Sequence, residues 1–308
     1  MKSIICCDVD PVLSPILNRV PGNDIWSPLQ LVRNLVSGTN FLPPITWLIR
    51  SDESVRYSTG DFASGYVSQR ALWTSLQDHG HEIGWHMHPM SYDNRNRAFG
   101  FDPDPMWLGT AHEELAKYTP IITTRIGWDF GSETLFRRLD ELQVRIDLSA
   151  LPGTLVWCAA GHDSLVVDWV RCPQMPYHPC TTDYQSDRSP SFRLLEVPIT
   201  QFSNPLLGRA KRLLWRARHG SMSARGLTKK TRLITEQWPR LPEPDATVWA
   251  FFFHPEELTC AGINNLLRNI ELLAMKRDVE FVTASAYLKS FSKENEIPHK
   301  RRHLDAPI

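Results

Sequence analysis

Four short stretches of this chain carry side chains that do chemistry only when brought together. The first is Cys7-Asp8-Val9-Asp10-Pro11. Alternate residues of an extended strand share a face, so Asp8 and Asp10 project to one side with Cα atoms roughly 6.5–7 Å apart. Two carboxylates so placed repel unless a cation lies between them or one of them becomes a base. The second stretch is Gly84-Trp85-His86-Met87-His88-Pro89. The same period sets two imidazoles side by side, a spacing from which both reach one metal ion. Each pair has an ordinary reading by itself, an Asp-Pro turn or two packed histidines. Together they supply one carboxylate and two imidazoles for a metal with an open position, and leave one carboxylate over as a base.

The third stretch is Thr124-Arg125-Ile126-Gly127-Trp128-Asp129, where an arginine beside acids is either a structural ion pair or the group that holds a base carboxylate ionised and oriented. The fourth is Phe251-Phe252-Phe253-His254-Pro255-Glu256-Glu257. Three consecutive phenylalanines mark core, and a histidine directly after them at a strand end is a candidate acid or base.

These residues meet only if each stretch ends a strand of one sheet. Short apolar, β-branched runs predict strands near 4–8, 45–50, 82–88, 122–128, 144–148, 194–199, 248–254 and 279–283. Helical patterns fall between them at 27–37, 64–78, 106–118, 132–143, 206–218, 260–277 and 284–292. Ser27-Pro28 offers an N-cap followed by proline, and Gly80 stands where a helix end favours a left-handed residue. Strands alternating with helices imply parallel βαβ units, in a barrel or a doubly wound sheet, with function at the carboxyl ends of the strands. Two stretches break the alternation, 92–105 and 152–191, and the second is long enough to cover a substrate.

Composition narrows the function. The chain has 308 residues, 42% hydrophobic and 22% charged, which excludes wholesale disorder. Lys plus Arg equals Asp plus Glu at 34 each, which removes the global electrostatic case for nucleic acid. No apolar run approaches the roughly 18 residues of a membrane span. Met1 to Asp8 places an acid where a secretory leader needs its apolar core, and the six cysteines show no CxxC pair, so the expected setting is cytoplasmic. No linker forces a cut, so 1–308 is expected to be one domain, with a basic amphipathic insertion around 205–235 and a polar tail from about 293.

The order of these pieces resembles the NodB-homology polysaccharide deacetylases, carbohydrate esterase family four. The motifs are Asp-x-Asp, Gly-His-Glu-Ile-Gly-x-His, Arg-x-Gly-Trp and Phe-His-Pro-Glu-Glu, and the likeness runs from Asp8 to about Leu288. It implies a distorted (β/α)7 barrel and a metal-dependent hydrolase that removes an N-acyl, chiefly acetyl, group from a sugar. By the same resemblance Asp8 is the catalytic base, Asp10 a metal ligand and His86 the first ligand histidine. Arg125 tethers the base, the backbone N–H of Trp128 contributes to an oxyanion hole, and His254 protonates the leaving amine. Asp168-Trp169 corresponds to an acid–tryptophan motif that lines the substrate groove.

Two departures stand out. Val9 separates aspartates that are usually adjacent, as in a variant subgroup with Asp-Val-Asp. Met90 stands where the family's second histidine lies, four residues after the first, and a thioether is a poor ligand for the ions expected. Strand geometry makes His88 the replacement. The expected cofactor is one divalent ion, with zinc the expected identity. Pro176-Tyr177-His178-Pro179 offers rings to stack on or bond a sugar, or simply packs a loop. The expected partner is an N-acylated sugar or glycan precursor of surface-polysaccharide or glycolipid assembly. The basic residues from Arg209 to Arg232, with no acid from Val197 to Thr235, suggest contact with anionic lipid at the inner face of a membrane as the alternative to a solvated helix face. The rival to the whole reading is a lapsed deacetylase that binds a glycan or a biosynthetic partner, or a deformylase or other C–N amide hydrolase on the same barrel.

Overall fold

The computed structural model describes residues 1–11, 26–38, 42–157, 164–200, 248–277 and 279–296. In chain order its strands are β1 (Lys2–Val9), β2 (Thr46–Arg50), β3 (Glu82–Met87), the hairpin β4 (Met90–Asp93) and β5 (Ala98–Phe101), then β6 (Thr123–Ile126) and β7 (Ile146–Asp147). The hairpin β8 (Leu155–Val156) and β9 (Val167–Asp168) follows, and then β10 (Leu195–Glu196), β11 (Val248–Phe253) and β12 (Glu280–Phe281). The helices are α1 (Leu29–Ser37), α2 (Glu53–Thr59), α3 (Ser64–Ser68), α4 (Arg70–Asp78), α5 (Leu108–Ala116), α6 (Glu133–Glu141), α7 (Cys260–Arg277) and α8 (Ala284–Glu296).

Seven parallel strands form one curled sheet in the order β10-β7-β6-β3-β2-β1-β11, and β12 pairs with the first residues of β1. All six residues of β11 and all five of β2 are buried, as strands covered on both faces require. The curl brings the sheet's edges together: Thr200, just past β10, donates its N–H to Ala250 O at 3.0 Å and accepts from Ala250 N–H at 3.0 Å. At the amino ends of the strands a polar plug closes the interior. Glu82 accepts from Thr46 Oγ1 at 3.2 Å and from the backbone of Ser285 at 2.9 Å, which docks the start of α8 there. The carboxyl ends remain for a site.

All eight expected strands are present, and Gly80 adopts φ 85° just beyond α4, as its position after a helix predicted. Two local expectations are corrected. The single helix expected over 64–78 is broken at Gln69 into α3 and α4, tied by the hydrogen bond from Trp73 Nε1 to Gly65 O at 3.0 Å. Helix α2 was not foreseen. It forms because Asp52 is an N-cap whose carboxylate accepts from the backbone of Ser54 and Val55 at 3.0 and 3.3 Å. The stretch 152–191 carries the antiparallel pair β8 and β9. The helix expected over 206–218, the basic insertion around 205–235 and the last twelve residues of the tail lie outside the described residues. Among the described residues no helix is long and apolar enough to cross a membrane.

Candidate functional site

Strand register does most of the assembly. Val9 pairs with Ile49, Arg50 with His86, and His86 with Arg125, while Cys7 pairs with Phe253 on the other edge of β1. Paired residues of a parallel sheet share a face, so Asp8, Asp10, Arg50, His86, Arg125 and His254 all arrive at the carboxyl rim on the interior side. The structure therefore gathers the residues of all four sequence stretches.

On one flank, Arg125 bridges two acids through Nη1 to Asp8 and Nη2 to Asp129. Its guanidinium stacks over the Phe252 ring at 3.7 Å, which fixes its plane. Asp8 is fully buried, and its second oxygen has no hydrogen-bond partner. Burial pushes its carboxyl up to about 6, against the opposing pull of Arg125 and His254. His254 Nε2 lies 3.8 Å from Asp8 Oδ2 and 3.8 Å from Asp10 Oδ2. The Asp129 end depends on an unusual turn. Trp128 and Asp129 both adopt left-handed backbone, φ 59° and 55°, a conformation that costs of order 1–3 kcal/mol per non-glycine residue. The turn is held by the hydrogen bond from Trp169 Nε1 to Asp129 O at 2.7 Å.

On the other flank, Asp10, His86 and His88 present three ligand atoms within 4.8 Å of one another. His86 and His88 Nε2 each lie 3.7 Å from Asp10 Oδ1, and 3.2 Å from each other. His86 Nδ1 stands 2.8 Å from Arg125 O, an acceptor only, so Nδ1 carries the proton and Nε2 presents its lone pair inward. Burial lowers the pKa of both histidines, His86 strongly, and keeps them in the neutral form a metal needs. Burial opposes the charge of Asp10, yet the imidazoles and Arg50 hold it well below the usual carboxylate range. With both imidazoles neutral, Arg50 is its permanent positive partner. His88 Nδ1 is buried without a hydrogen-bond partner, so packing holds the ring: Trp128 meets it edge-on at 4.7 Å, and Gly127 makes room for it. A Cβ at Gly127 would come within 2.5 Å of the imidazole. One carboxylate and two lone-pair nitrogens converging on one point fit a divalent ion.

Two further residues complete this flank: Arg50, which the sequence did not mark, and Asp52, which it marks only by its place just past the second strand, on the rim that carries function. Arg50 donates from Nη1 to Asp10 Oδ1 at 3.2 Å, from Nε to Asp52 Oδ2 at 2.6 Å and from Nη2 to Ser54 Oγ at 3.1 Å. Asp52 also accepts from the backbone N–H of His88 at 3.1 Å. The available signal was the cap itself, an aspartate one residue before a helix that carries Glu53 in its first turn. Met90 is buried, with its sulphur 3.7 Å from Arg50 Nη2.

The remaining expected site residues do not join the cluster. Trp169 is fully buried, so it braces the Asp129 turn from behind and offers no face to a groove. Tyr177 is also buried, donating to Tyr184 O at 2.8 Å, and its backbone pairs with Glu196. His178 Nδ1 bonds Leu194 O at 3.0 Å, at the amino end of β10, and its ring faces Phe291 of α8. That is the end of the sheet opposite to the site. Proline on both sides of Tyr177-His178 and the pairing with β10 turn both rings into packing.

No protein-family model matches the sequence, and no curated protein does. Two solved structures align with nearly the whole chain. A protein from Mycobacterium smegmatis assigned as a polysaccharide deacetylase is 18% identical, with TM-score 0.51 over 100% of this chain and 94% of its own. Puue allantoinase is 12% identical, with TM-score 0.52 over 95% of this chain and 90% of its own. The likeness at these identities lies in the backbone, and the chain has the deacetylase-like fold, a curled half-barrel of seven parallel strands with helices.

Proposed function

We propose that this protein is a metal-dependent hydrolase that cleaves the amide carbon–nitrogen bond of an N-acylated sugar, releasing acetate, in surface-polysaccharide or glycolipid biosynthesis. The observation that carries this reading is the pairing of a three-ligand cluster, Asp10, His86 and His88, with an arginine-held carboxylate and a histidine on its border. A fold shared with a deacetylase and an allantoinase supports it.

Asp10, His86 and His88 would hold a divalent ion, which would supply an acidified water and positive charge near the acyl oxygen. Zinc suits two imidazoles and a carboxylate. Asp8 accepts the proton of the attacking water. Its burial and its bond to Arg125 place a carboxylate of raised basicity in a fixed orientation. The backbone amide of Trp128 is assigned to the acyl oxygen as charge develops there. His254, beside both aspartates, delivers a proton to the departing nitrogen.

The test is elemental analysis of the purified protein together with acetate release from nucleotide-linked and lipid-linked N-acetyl sugars. About one divalent ion per chain and chelator-sensitive acetate release are expected. One bound metal with no acetate from any sugar would leave a glycan-binding protein or a hydrolase of another C–N bond on the same scaffold, and no metal at all would end the hydrolytic reading.

A further inference from the structure

Arg50 is the residue least expected beside a cation site. It is an arginine at a strand end, 6% exposed in its side chain, and it donates to Asp10 Oδ1, the same oxygen that both imidazole Nε2 atoms face. It has nowhere to go. Nε is bonded to Asp52, one Nη to Ser54 and the other to Asp10, and the neighbouring Met90 sulphur brings no countercharge. A cation held by the imidazoles and by Asp10 Oδ1, the oxygen that both Nε2 atoms face, would share that oxygen with a fixed guanidinium.

We propose that Arg50 is a built-in counter-cation that competes with the metal for Asp10 and so weakens metal binding at the Asp10–His86–His88 site. The inference rests on the metal-dependent reading above and adds what sets the strength of that site. Before any metal arrives, Arg50 keeps Asp10 ionised and aimed. When metal binds, the guanidinium withdraws electron density from the shared oxygen and repels the ion across a water-poor interior, where like charges are poorly screened. Asp52 sets the opposite weight. Its carboxylate partly neutralises Arg50 and accepts from the His88 backbone, so it favours the metal. Around the cluster, the carboxylates of Asp8, Asp10, Asp52 and Asp129 face the guanidiniums of Arg50 and Arg125. Two negative charges are left, the complement of one divalent ion, and removing either Arg50 or Asp52 shifts that balance in opposite directions.

Affinity for Zn2+ and Co2+ alone is measured on full-length protein, stripped by chelator, in competition with a metal-sensitive dye. Arg50→Gln is expected to tighten binding by about 10-fold or more, because a like charge close to the ion is removed, while Arg50→Lys, which keeps the charge, stays close to the parent. Asp52→Asn, which keeps an acceptor for His88, is expected to weaken binding, and the double variant Arg50→Gln/Asp52→Asn to recover most of that loss. A purely structural Arg50 gives the contrary pattern, with Arg50→Gln binding no more tightly than the parent and the double variant no better than Asp52→Asn. Either result overturns the inference. If Arg50→Gln fails to fold, the comparison of the double variant with Asp52→Asn decides alone. Should the parent bind metal without tightening in Arg50→Gln, only this inference falls; if no variant and no parent binds metal, the proposed function falls with it.

Discussion

The two flanks of the site are built on one plan. On each, a buried arginine from another strand bridges one aspartate of the Asp8–Asp10 pair to a second carboxylate: Arg125 joins Asp8 to Asp129, and Arg50 joins Asp10 to Asp52. The outcome for the two aspartates is opposite. Asp8 is pushed up to about 6, whereas Asp10 is held well below the usual range. Exposure and the number of partners make the difference. The Asp8 side chain is fully buried and leaves one oxygen without a partner, while Asp10 is 24% exposed and has two imidazoles and a guanidinium within 3.7 Å. Two carboxylates two residues apart are thereby given opposite shifts, by surroundings and not by type.

If the flanks are a ligand side and a proton side, variants must separate them. The largest effect belongs to Asp10→Ala, His86→Ala and His88→Ala, each expected to abolish stoichiometric metal by elemental analysis while the circular dichroism stays native. Next comes Asp8→Asn, expected to retain metal and lose turnover by about 10²–10⁴-fold, since an amide accepts no proton. Metal loss in Asp8→Asn would reverse the assignment of the flanks. His254→Ala is expected to keep metal and lose about 10²-fold, with less loss on substrates whose leaving amine is a better leaving group.

Smaller effects test what braces the Asp8 flank. Trp169→Phe removes the bond to Asp129 O without emptying the core, and is expected to cost about 0.5–1.5 kcal/mol of stability in chemical denaturation. On that side Asp147 and Glu196 also form a buried acid pair. Burial, and for Glu196 the neighbouring Asp147, raise both pKa values, that of Glu196 strongly. A carboxyl whose folded pKa is raised lends stability that is fully present below its unfolded pKa and is lost as pH rises through the folded one. The melting temperature should therefore fall from about pH 4 upwards on this account, and Glu196→Gln should flatten that fall by about 2–4 °C. An unchanged pH slope in Glu196→Gln would show that Glu196 does not titrate at a raised pKa.

How much of this was legible in the sequence differs between the flanks. Asp8, Asp10, His86 and His88 declare themselves by alternate spacing, and Arg125 and His254 by their places at strand ends. Arg50 carried no such signal, and Asp52 only its place just past the second strand, before a helix. A lone arginine after Ile49 and an aspartate after Ser51 look like the solvated end of any strand, because nothing local reports that Asp10 will stand opposite. Trp169, Tyr177 and His178 show the reverse error. Their aromatic and polar surfaces suit a sugar, but a side chain's chemistry does not tell which way a loop will turn it.

The sequence by itself determined the alternation of strands and helices, the eight strand positions and the faces on which the acids and histidines lie, because those follow from periods of two and 3.6 residues along a short stretch of chain. Only the tertiary structure decided which residues became neighbours. Register set Arg50 beside His86 and Asp10, the curl set Thr200 against Ala250, and a left-handed turn braced by Trp169 aimed Asp129 at Arg125. Those contacts join residues up to 50 positions apart, the Arg125–Asp8 pair joins residues 117 apart, and electrostatics acts through space. The contrast between Asp8 and Asp10 therefore arises from burial and from partners on other strands, which no window of sequence contains.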